Sequence, residues 1–261
     1  MIPALVSLVG AGPGDPELIT LRGARRLEEA ELVLYDALVD PRLLELAPRA
    51  QRFPVGKRAG RPSIRQETIH ALMIRAARRG RRVVRLKAGD PFVLGRGGEE
   101  ALALLAAGVP CEVVPGLSSA LAAPALAGIP LTHRGLASSF LVLSGHDEDG
   151  WRPPLTALPP GSATVVVLMG LRARAGIGAA LLRQGWAQST PAAILLAAGT
   201  PAARCWRGCL SELAGAAAPI ESGGLAGVIV VGAVVGVAEA LAEREEPWKR
   251  HSHTARSAAR G

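Results

Sequence analysis

At 261 residues the chain is long enough for two medium-sized domains, each with its own core, and 49% hydrophobic residues exclude a disordered protein. The net charge of +8 at pH 7 suggests nucleic acid as a partner. Half of that charge, however, is Lys249, Arg250, Arg256 and Arg260, in a segment from Pro247 to Gly261 that reads as a disordered, solvated tail. With one tyrosine and three phenylalanines there are few platforms for stacked bases, so no nucleic-acid partner is expected.

In chain order, Leu5–Val9 reads as a strand, followed by the loop Gly10-Ala11-Gly12-Pro13-Gly14-Asp15-Pro16. A helix from about Leu21 to Ala30 follows, with Thr20 as its N-cap. Short strands at Leu32–Leu34 and Gln51–Val55 end in Tyr35-Asp36 and Gly56-Lys57-Arg58. Ser63 and Gln66 form a capping box for a helix whose apolar face is Ile69, Leu72, Met73 and Ala76. Strand Arg82–Leu86 leads into Lys87-Ala88-Gly89-Asp90-Pro91, a helix spans about Glu99–Ala107, and strand Glu112–Val114 leads into Pro115-Gly116-Leu117-Ser118-Ser119. Strands alternating with helices predict a mainly parallel sheet covered on both faces. Beyond Gly135 come strands Phe140–Leu143, Thr164–Leu168, Ala192–Ala197 and Val228–Val231, helices near Ala173–Gln184 and Leu210–Ala217, and a surface loop at Gly150–Gly161. The division is therefore an N-terminal α/β domain over 1–134, a C-terminal α/β domain over 135–246 and the tail.

Two long uncharged stretches, Val113–Thr132 and Gly223–Ala238, are interrupted by prolines or glycines and read as buried core, so no membrane association is expected. No basic region precedes the first apolar run, so a signal peptide is not expected and a cytoplasmic location is. Cys111, Cys205 and Cys209 read as free thiols, and no metal site is expected.

Ligands of open α/β sheets bind beyond the carboxyl ends of the strands. The chain has six aspartates and three lysines, and Asp15, Asp36, Asp90, Lys57 and Lys87 all fall at strand ends of the first half, which favours function over solvation. Singly each has a structural alternative. Asp36 could cap a short helix at Pro41, Asp90 could be a helix cap, and Arg96 could pair with Glu99 or Glu100. The cluster Arg75, Arg78, Arg79, Arg81, Arg82 and Arg85 could be cations at a helix C-terminus or a surface that draws in a polyanion. The first loop is not the dinucleotide fingerprint, because Asp15 stands where its third glycine should be, and Gly56-Lys57-Arg58 is not a phosphate loop.

The blocks Val9–Pro16, Tyr35–Val39, Val55–Gly60, Arg85–Phe92, Gly95–Glu100 and Gly128–Arg134 together resemble the uroporphyrinogen-III C-methyltransferases, within the wider tetrapyrrole methyltransferase family. The first and fourth blocks suit the wider family, while Gly56-Lys57-Arg58-Ala59-Gly60 and Gly95–Glu100 point to this branch rather than to a later corrin-ring methyltransferase. The resemblance implies a homodimer of two α/β domains with mainly parallel or mixed sheets, with S-adenosylmethionine bound in the cleft between domains and S-adenosylhomocysteine as the spent product. It also implies that uroporphyrinogen III is methylated at carbons 2 and 7, giving precorrin-2 by way of precorrin-1, for siroheme or cobalamin. Matched motif by motif, cofactor contacts fall on Pro13, Ala88, Gly89, Asp90, Val93, Ser118, Ser119, Met169 and Gly199. Asp36 falls on the proton acceptor and Lys57 on a proton donor, and Arg58 and Arg134 are charge partners for the substrate's carboxylates. Ala88 replaces a usual glycine and would cost about 1 kcal/mol if its φ were positive, Ser118-Ser119 replaces a usual Thr-Ala, and Ala197-Ala198 replaces a common Glu-Asn. With no dehydrogenase–chelatase block ahead of residue 1, the fused trifunctional enzyme is not expected.

Overall fold

The computed structural model describes residues 6–56, 64–216 and 225–241. Among these, the residues up to Ala122 together with Ala197–Pro201 form one compact unit, and Ala123–Leu196 with the residues from Ala202 onward form a second. Each is built on a five-stranded sheet, one parallel and one mixed, flanked by helices: the α/β class that the strand–helix alternation predicts.

In the first unit the strands are β1 (Val6–Gly10), β2 (Leu32–Tyr35), β3 (Gln51–Pro54), β4 (Val83–Lys87) and β5 (Cys111–Val114), all parallel in the order β3-β2-β4-β1-β5. Parallel neighbours need crossovers, and the helices supply them. α1 (Leu21–Glu29) starts as expected at Thr20, whose hydroxyl accepts from Gly23 N–H at 3.1 Å. α2 (Pro41–Glu45) is capped by Asp40, whose Oδ1 accepts from Arg42 N–H at 2.8 Å. α3 (Gln66–Arg78), α4 (Gly97–Ala106) and α5 (Ser119–Leu126) follow β3, β4 and β5.

Successive residues of a strand face opposite sides. Val84 and Leu86 of β4 therefore join Val9, Leu27, Val33 and Leu43 on one face. Val83 joins Leu8, Leu34, Ile69, Met73 and Leu104 on the other, the face that α3 and α4 cover. Arg85 and Lys87 share the parity of Val83, and both are buried.

The second unit orders its strands β6-β7-β10-β8-β9. β6 (Phe140–Ser144) and β7 (Thr164–Leu168) are parallel; β8 (Pro191–Leu196), β9 (Arg204–Cys209) and β10 (Gly227–Val231) make antiparallel pairs. α6 (Glu148–Ala157) and α7 (Arg174–Arg183) pack Trp151, Leu155, Ile177 and Leu181 onto Val165, Val167, Ile194 and Ile229.

Three local expectations are corrected. The segment read as a loop from Gly150 is largely helix α6, which buries Trp151 and Leu155 one turn apart despite Pro153 and Pro154. Leu210–Gly215 is a 3-10 helix rather than an α-helix. Gln66 is the first residue of α3 after an N-cap at Arg65 with no side-chain cap bond, so it does not close a capping box. Ser63, its expected partner, lies outside the described residues, as does the tail.

Candidate active site

The carboxyl ends of five parallel strands bring the loops of the first unit together. Gly12 and Gly89 exchange backbone hydrogen bonds, Gly12 N–H to Gly89 O at 3.2 Å and Gly89 N–H to Gly12 O at 2.8 Å, which joins the loop after β1 to the loop after β4. Asp90 extends the junction: Oδ1 accepts from Phe92 N–H at 2.8 Å and Oδ2 from Gly116 N–H at 3.0 Å, in the loop after β5. It does not cap α4, whose N-cap is Arg96.

Glycine is required at this junction. A Cβ on Gly10 would stand 2.5 Å from Gly116 Cα, and one on Gly116 would stand 2.4 Å from Gly89 O. Gly89 has φ +68, whereas Ala88 is not among the residues of positive φ, so alanine at 88 carries no backbone cost. Ser118 is buried, and its Oγ accepts from Ala120 N–H in the first turn of α5, which begins at Ser119.

Gly199 has φ +78, and a Cβ there would meet Asp15 N at 2.9 Å and Pro13 Cγ at 3.5 Å, so residues 197–201 pack directly on the Gly/Pro loop. Asp15 caps the 3-10 turn Pro16–Leu18 by accepting from Glu17 N–H at 3.0 Å. Pro13, Ala88, Gly89, Asp90, Ser118, Ser119 and Gly199 are therefore gathered around one set of loops. Val93, 37% exposed, belongs to the turn between β4 and α4, its N–H bonded to Asp90 O at 3.4 Å.

Asp36 follows β2 on the same sheet edge. Its N–H bonds to Leu86 O at 3.1 Å, and its Oδ1 accepts from Arg85 Nη2 at 2.5 Å. The alternative reading, a cap for α2, is excluded because Asp40 performs that role.

Behind Asp36 is a group the sequence did not disclose. The Arg85 side chain is 4% exposed; its Nε donates to Glu100 Oε1 at 3.0 Å and its Nη1 to Leu86 O at 3.1 Å and Leu34 O at 3.4 Å. Lys87 Nζ stands 3.0 Å from Glu100 Oε2, and Gln66 Nε2 donates to Glu100 Oε1 at 3.0 Å. Two cations thus face two carboxylates in a buried site, which suits the rule that buried charges are paired. Burial and the neighbouring Arg85 charge lower the Lys87 ammonium below the ordinary lysine value, against the pull of Glu100 and Asp36.

Arg85 is therefore not part of a surface cluster. Of the others in that cluster, Arg78 caps the end of α4 through Ala107 O, Arg81 reaches Glu31 O and Arg82 pairs with Glu31. Arg96 pairs with Glu99 at 2.7 Å on the surface, leaving Glu100 to the buried group.

In the second unit Met169 follows β7 with φ +57 and is half exposed. Arg134 lies in a loop, Thr132–Ser138, that with Ser162 lines an open cleft of about 650 Å³. Lys57 and Arg58 lie outside the described residues.

A family model described as Tetrapyrrole (Corrin/Porphyrin) Methylases matches residues 5–214. The chain belongs to the tetrapyrrole methylases. Among solved structures this methylase is similar to the uroporphyrin-III C-methyltransferase from Thermus thermophilus, at 46% identity and TM-score 0.77 over 91% of this chain and 98% of that one. A second structure of that protein is complexed with S-adenosylhomocysteine, with TM-score 0.76 over 89% and 99%. A cobalt precorrin-4 methyltransferase shares the fold at TM-score 0.78 and 28% identity, over 89% of this chain and 96% of that one. A uroporphyrinogen-III C-methyltransferase from Methanocaldococcus jannaschii is 44% identical over 89% of this chain and 97% of its own length. A siroheme synthase from Tolumonas auensis is 45% identical over 90% of this chain and 50% of its own length. The chain spans about half the length of the siroheme synthases it matches.

Among the described residues of this methylase, no helix is long and apolar enough to cross a membrane. The residues that sequence reasoning missed are Arg85, Glu100 and Gln66. Their signal was a pair of charges, Arg85 and Lys87, at alternate positions of a strand in the middle of a parallel sheet, where both faces are covered.

Proposed function

We propose that the chain methylates uroporphyrinogen III at carbons 2 and 7 with S-adenosylmethionine as donor, releasing S-adenosylhomocysteine and precorrin-2 for siroheme or cobalamin. The observation that carries this reading is the convergence of the loops after β1, β4 and β5 with residues 197–201, beside an aspartate held at the end of β2. The 46% identity to a protein crystallised with S-adenosylhomocysteine supports the choice of donor.

The residues present suit that co-substrate. The loops are small-residue backbone packed on backbone, so peptide N–H and C=O groups rather than long side chains are offered to the ligand. Pro13, Ala88, Gly89, Asp90, Val93, Ser118, Ser119, Met169 and Gly199 would make those contacts. The sulfonium methyl supplies an electrophile that needs little acid help. A ring carbon forms the new C–C bond as the S–C bond breaks, and sulfur keeps the electron pair. Alignment of donor and acceptor is then most of the catalysis. The methylated carbon keeps its carboxylate side chain and has no proton of its own, so the cation formed must lose a proton from elsewhere on the macrocycle, and the Asp36 carboxylate takes it as general base. Lys57, as proton donor, and Arg58 and Arg134, as partners for the substrate's carboxylates, complete the assignment. The protein acts in the cytoplasm as a homodimer.

S-Adenosylmethionine and S-adenosylhomocysteine should both raise the melting temperature, because a ligand that binds only the folded state at 100 times its Kd adds about 2.7 kcal/mol. NAD should not, since the first loop lacks the dinucleotide fingerprint. No shift with either sulfur compound contradicts the reading.

A further inference from the structure

We infer that Arg85 is a positioning residue for the methylation reaction: it anchors one oxygen of Asp36 so that the other is presented to the substrate. The inference rests on the assignment of Asp36 as proton acceptor.

Arg85 itself is out of reach of a substrate, with its side chain 4% exposed, against 26% for Asp36. Each of its nitrogens has a partner: Nη2 on Asp36 Oδ1, Nε on Glu100 Oε1, and Nη1 on Leu86 O and Leu34 O. A planar guanidinium held at every corner has one orientation, and the Asp36 oxygen bonded to it inherits that orientation. Leu86 O also accepts the Asp36 N–H, so backbone and side chain of Asp36 are both tied to β4. Among the described residues Oδ2 has no hydrogen-bond partner, which leaves it as the oxygen able to take a proton.

The grip is itself supported. Glu100 projects from α4 one turn before Leu104, on the face that packs against the sheet, and is fully buried. Lys87 and Gln66 both contact it, so the far end of the guanidinium is fixed from three elements: β4, α3 and α4. Lysine at position 85 would keep a positive charge but could not span Asp36 and Glu100 in one plane. A buried ion pair that merely holds the fold would lower the melting temperature and, through a smaller folded fraction, apparent kcat by the same factor whether or not Asp36 is present. A positioning residue acts on kcat and only through Asp36.

The test is a double-mutant cycle between Arg85→Lys and Asp36→Asn on the full chain, with kcat, KM for the tetrapyrrole and affinity for S-adenosylhomocysteine measured for each variant. Arg85→Lys is expected to lower kcat by about 10²-fold, the cost of a small misplacement of a reacting group, with KM and S-adenosylhomocysteine affinity within about twofold of wild type. In the Asp36→Asn background the same change should lower kcat no further, because residues that act as a unit are non-additive. Should Arg85→Lys fail to fold, Glu100→Gln loosens the same guanidinium from behind and must show the same pattern, a loss in kcat that disappears when Asp36 is already asparagine. Multiplicative losses in the double variant, or losses confined to KM, overturn the role of Arg85 and leave Asp36 in place. Near-wild-type turnover of Asp36→Asn alone overturns the assignment of Asp36, and with it this inference.

Discussion

Glu112 shows how one side chain ties separate elements of the parallel sheet. It lies on β5 and accepts from Ser7 Oγ of β1 at 2.7 Å and from Arg26 of α1, whose Nη2 is 3.2 Å from Oε2. Burial alone would raise its carboxyl, but the bonds from Arg26 and Ser7 and the Arg26 charge outweigh burial and hold it below the ordinary glutamate range. A carboxylate depressed in the folded state contributes stability that is complete above the unfolded value of about 4.3 and is lost as pH falls through the folded value. The stability gap between wild type and Glu112→Gln should therefore be constant from about pH 8 to pH 5 and close below about pH 4 in acid denaturation. A gap unchanged in acid contradicts the pairing. Of the site, what was legible at this scale was the set of acids at strand ends, because aspartates are few and the strands easy to place. Their individual roles were not. Asp15 is a turn cap, Asp90 a clasp between two loops and Asp36 an acceptor for Arg85, and these depend on partners far apart in the chain. Glu99 and Glu100 are neighbours in sequence, yet one is solvated and the other fully buried, and only the packing face of α4 separates them.

Among elements, the turn after β3 is the one that most directly limits where Asp36 can sit. A Cβ on Gly56 would lie 2.0 Å from Ala37 N and 2.7 Å from the Asp36 carbonyl carbon, both backbone atoms that cannot move alone. Gly56→Ala should cost about 1–3 kcal/mol as overpacking and should also lower turnover, because the displaced backbone carries Asp36. Gly80→Ala is the control: φ there is +78 but nothing lies within 4 Å. It should cost about 1–2 kcal/mol of backbone strain and leave turnover intact. Equal effects on turnover from the two changes would remove the link between this turn and the site. Most strands and α1, α3, α4 and α7 were readable within a few residues, since hydrophobic runs, the Thr20 cap and Gly-rich ends all point the same way. α6 was not, because Pro153 and Pro154 mask the pair Trp151 and Leu155 that the helix buries. β9 was missed because, as an edge strand, it pairs on one side only with β8 and keeps arginines and half-exposed residues.

The whole molecule joins a parallel sheet unit that carries the loop cluster to a mixed sheet unit that carries Met169 and Arg134. The fold class was legible because alternation of strands and helices has few solutions. Whether a given sheet is parallel or mixed stayed open, because the hydrophobic pattern does not encode strand direction: β10, readable as a strand, runs antiparallel to β7 and β8, and β9, with no strand signal, runs antiparallel to β8. Membership of the tetrapyrrole methylases supports the proposed methyl transfer to a tetrapyrrole. The most direct test is incubation with uroporphyrinogen III and methyl-labelled S-adenosylmethionine, followed by mass spectrometry of the tetrapyrrole. The proposal predicts first a singly and then a doubly labelled product, heavier than substrate by two methyl-for-hydrogen replacements, with one S-adenosylhomocysteine released per methyl. An unlabelled tetrapyrrole, with label transferred only when a later corrin intermediate is supplied, contradicts it.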